Sequence, residues 1–547
     1  MSLPGFMNER LDNARGITRP RTVCLMALQL LRDSSLGQGL RTIARPSWLQ
    51  YPEERDDHSE VIECIFKFED SNGNIKIVEW YGEGDPENPL NWPSIKKAWV
   101  VFVIGYYSFM VYMAAPIYSP GKDAFRHEFN VNPAESSLGL ALYVLGYGAG
   151  PLLFSPVSEI PRFGRNLPYV ISFTIFTILC IPTGFAPTAI GFYFLRFLQG
   201  FFGSPCLATG GASISDIYDP YVRPYAMTVW VYCIFCAPAI GMLVSGFAIP
   251  VLGWRFSMWE ILMAAGPALI LTLLLPETSP STILYRRAQR LQATDGSKHY
   301  RTATELKQSH ISFHDIVRES LLTPIKITLL DPAILFVNVY TSLVYAIYYT
   351  FFEAFPLVYM DIYNFNLGQM GTAFLAIIIG TTISIIIYNI YNYLIFIPKS
   401  RSKSKSNNPQ NQNPEELLTP ALLACFGPSI GLFLFGWASR PEIHWIIPTL
   451  GIVIYPGCVF VLMQSVFLYI PACYPEHAAS VFAAADFMRS AVACGAVVFS
   501  RPLFVNLGVG GGCSLLAGLT VICVGGIYFL RFDGGVLRGR SKFGGRW

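Results

Sequence analysis

A chain of 547 residues that is 52% hydrophobic, 14% aromatic and only 14% charged lies far below the roughly 25% charged residues of an ordinary soluble protein. The formal net charge of +3 hides an uneven distribution, with charges crowded into the first hundred residues, a central segment and the C-terminus. That layout leaves little room for a soluble fold and reads as an all-α polytopic membrane protein.

Residues 1–97 are polar and mixed and read as a cytoplasmic tail. Their early apolar run, 23–31, is too short and too interrupted for a signal peptide or a span. The tail ends in a turn-rich stretch from Gly84 to Pro93, and Lys96 and Lys97 follow as inside anchors. Twelve stretches then approach the roughly 20 apolar residues a bilayer crossing needs. Six are centred on 98–119, 136–156, 168–187, 189–213, 226–250 and 255–276; six more fall on 327–359, 367–397, 418–438, 444–470, 477–502 and 512–531.

Basic residues set the orientation. The connections assigned outside hold Lys122, Arg126, Arg255 and Arg440, whereas those assigned inside hold Arg162, Arg165, Arg223, the central run Arg286 to Arg318, the Lys399 to Lys405 run and Arg531 to Arg546. Both termini are therefore expected in the cytoplasm. The chain divides into a tail (1–97), a six-helix bundle (98–276), a central loop (277–325), a second six-helix bundle (326–532) and a short tail (533–547). In the loop, Ile283 to Leu291 carries Arg286, Arg287 and Arg290 beside apolar residues, which fits a basic helix lying on the anionic inner leaflet. His310 and His314 are four apart without a third ligand, so they read as a solvated helix face and no metal site is expected. The low-complexity segment 399–414 reads as a cytoplasmic connector. The twelve cysteines fall mostly within apolar runs and imply no disulfide framework; Cys233 and Cys236 form an isolated C-x-x-C without a partner pair.

No P-loop or H-E-x-x-H motif occurs, so neither a zinc-dependent hydrolase nor an ATP-driven pump is indicated and no cofactor is expected. The charges inside or beside apolar stretches carry the interest. Arg162 and Arg165 admit two readings, positive-inside anchors or one side of a latch. Arg196 lies within an apolar stretch, where insertion costs about 2.5–3.5 kcal/mol, and so must face the interior with partners, either as a structural tie or in a proton path. Asp216 reads as a cytoplasmic loop contact. Asn338, Thr341, Tyr345, Tyr349 and Glu353 recur at helical spacing and form a candidate cavity face, with packing or an interfacial belt as the alternative. Asp486 and Arg489 are three apart and either neutralise each other or serve coupling.

Several segments together resemble the major facilitator superfamily, in its fungal twelve-span drug:proton antiporter group that includes the benomyl and fluconazole resistance transporters. They are Asn88 to Trp92, Ser155 to Ile160 with Gly164 to Asn166, Leu195 to Gly200, Pro276 to Ser279, Phe351 to Pro356 and Ala478 to Ala484. The resemblance runs from about Asp33 to Lys542. It implies twelve transmembrane helices in two pseudo-symmetric six-helix bundles, with Glu159, Gly164 and Arg165 as a conformational latch. It places Arg196 in a proton-coupling motif, for which Glu353, Asp486 and Arg489 are further candidates. It also implies a helix-bending motif at Pro238, Gly241 and Gly246, departing from the family pattern at Ala237 and Met242. The implied activity is proton-coupled export of a moderately apolar small molecule: an antifungal, a xenobiotic or a secondary metabolite. The implied setting is the plasma membrane, with a working monomer that engages substrate, protons and bilayer but no nucleic acid. Uptake or polyamine exchange and a non-transporting sensor are the alternatives.

Overall fold

The computed structural model describes residues 28–44, 46–54, 66–69, 75–295, 299–308, 326, 330–399, 414–473 and 478–540. His310, His314 and the connector residues 400–413 lie outside them.

The first half is built from α2 (Ser94–Ala114), α3 (Lys122–Phe129), α4 (Leu138–Glu159), α5 (Asn166–Gly184), α6 (Ala189–Gly203), α7 (Pro205–Ile217), α8 (Arg223–Leu252) and α9 (Phe256–Leu273). The second comprises α12 (Pro332–Phe355), α13 (Leu367–Ala373), α14 (Leu375–Tyr391), α15 (Thr419–Ala424), α16 (Gly427–Ala438), α17 (Ile446–Cys473) and α18 (Ala478–Arg540). Local chemistry sets their limits. Pro93 precedes α2, and Pro116, which has no amide hydrogen to continue the helix, follows its end. The Asp331 carboxylate accepts from the amides of Ala333 and Ile334 to start α12. Gly253, at φ 82°, ends α8.

Ten helices among the described residues are long and apolar enough to cross a membrane, two fewer than the twelve stretches expected. Two places account for the difference. The fourth stretch breaks at Ser204 and Pro205 into α6 and α7, each too short alone. The last two stretches run together as α18, two helices that meet at Gly508, where φ is 69°.

The polar N-terminal segment departs from the expectation of a plain tail. It contributes α1 (Ser35–Ala44), β1 (Phe66–Glu69) and β2 (Ile75–Val78), while the central loop contributes α10 (Pro280–Asp295), β3 (His299–Arg301) and α11 (Ala303–Gln308). The strands form one sheet in the order β1-β2-β3, antiparallel and then parallel. Helix α10 turns two of its arginines into the protein rather than leaving them free for an anionic surface. Arg287 is fully buried and meets Asp85 at 2.7 Å, Glu53 at 3.2 Å and Glu87 at 3.2 Å, while Arg290 pairs with Glu87 at 2.9 Å. The basic residues are thus spent on acids that lie about two hundred positions away, which helical periodicity cannot reveal.

This cap is tied to the bundle by Asp33. Its carboxylate accepts from Lys96 Nζ at 2.7 Å and pairs with Arg32 at 3.0 Å. Burial alone would raise the Asp33 carboxyl, but Lys96 and then Arg32 outweigh it and bring the pKa from 3.8 down to about 2. A depressed carboxylate contributes stability that is fully present above its unfolded pKa, near 4, and is lost as pH falls through about 2. The depression corresponds to about 2 kcal/mol. Asp33→Asn is therefore expected to lower the stability of the cap by about that amount at neutral pH, measured as lost hydrogen-exchange protection in α1 and α10. The unmodified protein should keep its protection between pH 7 and 5 after correction for intrinsic rates.

Candidate functional site

A cavity of about 560 Å³ lies between the two halves. From the first half it takes Glu159 at the end of α4, Arg165, Asp216 on α7, and Arg223 and Trp230 on α8; from the second it takes Phe467 on α17 and Phe482, Asp486 and Arg489 on α18. Among the described residues its charged lining consists of three carboxylates, Glu159, Asp216 and Asp486, and three guanidinium groups, Arg165, Arg223 and Arg489, so their formal charges cancel. The cavity starts at the end of the molecule that carries the loop between α4 and α5 and reaches inward to Asp486.

Asp486 and Arg489 form a buried ion pair one turn apart. The Arg489 guanidinium also lies 4.8 Å from the Tyr345 ring centroid and 5.8 Å from that of Phe467. A charge pair in apolar surroundings keeps both members ionised only while they stay together. Anything that separates them, a proton or a polar ligand, changes the balance of the site.

Beyond this pair the halves close on each other. Gly148 of α4 faces α18 so tightly that a Cβ there would sit 2.2 Å from the Ser490 Cβ. Tyr147 bonds to Tyr345 and, at 2.9 Å, to Tyr349. Further out, Glu353 of α12 is ion-paired with Lys122 of α3 and accepts from Ser137 Oγ at 2.9 Å. Among the described residues the site is open at one end and sealed at the other.

This geometry redistributes the residues singled out in the sequence. Asn338, Thr341, Tyr345 and Tyr349 do not line the cavity. Thr341 is turned onto the Val337 carbonyl of its own helix, while Tyr345 and Tyr349 build the roof. Glu353 stands at the sealed end and does not face the cavity, because α12 runs toward that end from Asp331 and carries it about six turns from the helix start.

Arg165 is paired with Asp216 rather than Glu159, at 2.9 Å. Burial alone would weaken the Arg165 charge, but Asp216 and its other acidic neighbours hold the guanidinium above its usual pKa. The contact joins the start of α5 to α7. The loop itself is held by Glu277, which accepts from the amides of Arg165 at 3.2 Å and Asn166 at 3.3 Å. Gly164 makes that approach feasible: its φ is 69°, and a Cβ would sit 2.4 Å from a Glu277 oxygen.

Arg196 is fully buried in the first half, away from the cavity lining. Its guanidinium donates to the carbonyls of Ala114 and Ala115 at 2.8 Å each, to that of Gly139 at 3.1 Å and to Gln199 Oε1 at 3.3 Å. The Tyr143 ring centroid is 4.3 Å from it. The break at Pro116 leaves the last carbonyls of α2 without helical donors, and Arg196 supplies them.

The motif on α8 acts in packing. A Cβ on Gly241 would meet the Met113 carbonyl at 2.6 Å and one on Gly246 the Leu367 carbonyl at 2.8 Å, so these glycines let α8 approach α2 and α13. Pro238 lies within the helix between them and its start. Cys233 and Cys236 are free thiols.

The sequence reading missed Tyr147, the importance of Asp216 and Lys122, and Glu260, a buried carboxylate on α9 with neither oxygen hydrogen-bonded among the described residues. A lone acid within an apolar stretch was the available signal for Glu260. Lys122 looked like any outside-loop lysine.

The sequence profile of the Major Facilitator Superfamily matches residues 99–497. The chain is 45% identical over 466 residues to the MFS-type transporter pyvG of Aspergillus violaceofuscus, covering 85% of each chain. It is 36% identical over 501 residues to the cycloheximide resistance protein of Candida maltosa, covering 90% of each. Among solved structures, the human organic anion transporter MFSD10 aligns with a TM-score of 0.56 at 15% identity, over 80% of this chain and 100% of that one, a likeness of fold.

Proposed function

We propose, because this chain belongs to the major facilitator superfamily, that it exports small, moderately apolar and overall uncharged molecules by alternating access, in exchange for protons. The carrying observation is the cavity between the halves, open on the side of the termini and sealed on the other. In this reading twelve crossings form two six-helix bundles, both termini are cytoplasmic, the membrane is the plasma membrane and the monomer is the working unit. The conformation is then the one that loads from the cytoplasm.

The lining supports the substrate class. Trp230, Phe467 and Phe482 offer apolar and aromatic surface, and the balanced charges give a cation no surplus of acid to meet. That balance disfavours polyamine exchange. Resistance to cycloheximide, named for one relative, fits export of a compact, uncharged molecule.

Asp486 is the proposed coupling group. A proton on its carboxylate neutralises it and frees Arg489, so protonation and substrate binding compete at one point. The driving force is adequate. One proton crossing ~100 mV gains about 2.3 kcal/mol, and ~2 pH units add about 2.7 kcal/mol. At about 1.4 kcal/mol per tenfold, that sustains a gradient of several thousandfold.

The test is accumulation of a fluorescent hydrophobic dye and of cycloheximide in yeast lacking its own pumps. The intact protein should lower accumulation, and a protonophore should abolish the effect. Asp486→Asn should reduce efflux by at least about tenfold per folded molecule, the loss of one charge-assisted contact, with the rate normalised to protein level because stranding the buried Arg489 also lowers stability. Efflux that survives both the protonophore and this substitution would refute the coupling.

A further inference from the structure

We propose that Lys122 is the outer gating residue of this transporter: its ion pair with Glu353 holds the two halves together at the sealed end, and breaking that pair is the step that opens the site outward. The inference rests on the alternating-access reading and names a device which that reading leaves unassigned.

Each half presents one charge already held in place. Lys122 begins α3, whose Phe125 packs edge-on against Tyr118 at 5.4 Å and Trp254 at 5.0 Å between centroids. Gly121, immediately before it, sits so close to Trp254 that a Cβ would be 2.6 Å from that residue's Cβ. The backbone carrying the ammonium therefore cannot swing away without disrupting an aromatic cluster. On the other side Glu353 is flanked by Phe352 and Phe355, whose rings pack on Phe374 at 5.4 and 4.1 Å.

The two charges meet across the interface and are nearly excluded from water, with Lys122 9% and Glu353 4% exposed. Ser137, at the start of α4, donates to the carboxylate at 2.9 Å and lies 3.4 Å from Lys122 Nζ, which completes a three-member contact. Tyr118 is also buried here, but its hydroxyl is directed to the Ser136 carbonyl at 3.0 Å and leaves the pair intact.

The pair acts only in the sealed conformation. Separating the halves hydrates both charges, so the contact stabilises one conformation and not the other, as a gate requires. Among the described residues the inner cavity has no equivalent, because Asp486 and Arg489 lie on one helix and the Arg165–Asp216 pair is confined to the first half.

The test measures the outer distance between halves, independently of transport. Spin labels on Asn130→Cys and Glu442→Cys, one in each half, are introduced into a background whose native cysteines are replaced. Lys122→Met and Glu353→Gln should each shift the distribution toward longer distances, raising the ratio of open to sealed populations about tenfold or more, as expected when one member of a buried pair is removed. The exchanged double variant Lys122→Glu with Glu353→Lys should return the distribution to the sealed distance. Should either single variant fail to fold, Ser137→Ala, which removes one hydrogen bond, should produce a smaller shift in the same direction. An unchanged distribution in the folded variants, or an exchanged pair that stays open, overturns the gate. Unchanged distances with intact efflux would leave the export reading standing, and responsive distances without efflux would do the reverse.

Discussion

Arg287→Met is expected to detach the N-terminal segment from the central loop, at a cost of about 3–5 kcal/mol, the range for breaking a buried ion pair from one side. Arg287 is fully buried and serves three acids: it binds Asp85 with two nitrogens, at 2.7 and 3.1 Å, and meets Glu53 and Glu87 at 3.2 Å each. The Tyr81 ring centroid lies 4.1 Å from its guanidinium. Asp85 and Glu53 are held below the usual carboxylate range: burial opposes this, and Arg287 for the first and Arg290 for the second outweigh it. Once Arg287 is gone, Arg290 alone serves Glu53 and Glu87, and Asp85 loses its guanidinium partner. Lysine should not restore the site, because one ammonium cannot reproduce the planar two-pronged contact with Asp85. The neighbouring Arg286, more exposed and 3.7 Å from Glu277, supplies the contrast: Arg286→Met should cost no more than about 1 kcal/mol. Limited proteolysis between residues 28 and 92 separates the outcomes. Arg287→Met should be cut quickly and Arg286→Met at the normal rate; equal resistance would show that the ion cluster does not hold the cap.

Arg196→Met is expected to be the most damaging single change within the bundles. Three buried carbonyls, of Ala114, Ala115 and Gly139, lose their side-chain donor at once, and each buried unsatisfied acceptor costs about 1–3 kcal/mol. Against a total stability of about 5–15 kcal/mol the loss is severe, and little folded protein should survive extraction into detergent. Arg196→Lys should recover part of it, since an ammonium reaches some but not all of the carbonyls. The structural tie makes a further prediction. Whatever Arg196→Lys protein folds should still lose its efflux to a protonophore and should transport at a near-normal rate per folded molecule. A coupling role would produce the opposite, a well-folded protein with no proton-driven transport.

The aromatic seal and the ion pairs show how far sequence reading reaches in a membrane protein. Apolar stretches of about twenty residues, the scarcity of charge between them and the asymmetry of lysine and arginine define the class, the division into halves and the expected orientation, because the bilayer imposes those features on any chain that crosses it. Helical spacing also placed Asp486 and Arg489 within reach of each other, as it does for any residues three apart. The same spacing grouped Asn338, Thr341, Tyr345, Tyr349 and Glu353 on one face but could not tell cavity from roof, since that depends on which helix of the other half lies opposite.

Partner choice across long separations belongs to the tertiary structure alone. Arg287 finds Asp85 from 202 positions away and Lys122 finds Glu353 from 231. Arg165 takes Asp216 in preference to Glu159, which is closer in sequence, because the loop is pinned by Glu277 and turned toward α7. Arg196 was legible as a residue in need of partners, yet its partners are backbone carbonyls, exposed by the end of a different helix. Composition and charge pattern suffice for the membrane class, the two halves and the set of charges that require compensation. Only the folded chain decided which charge compensates which, because electrostatic and hydrogen-bonding contacts act over a few ångströms in space and carry no periodicity along the chain.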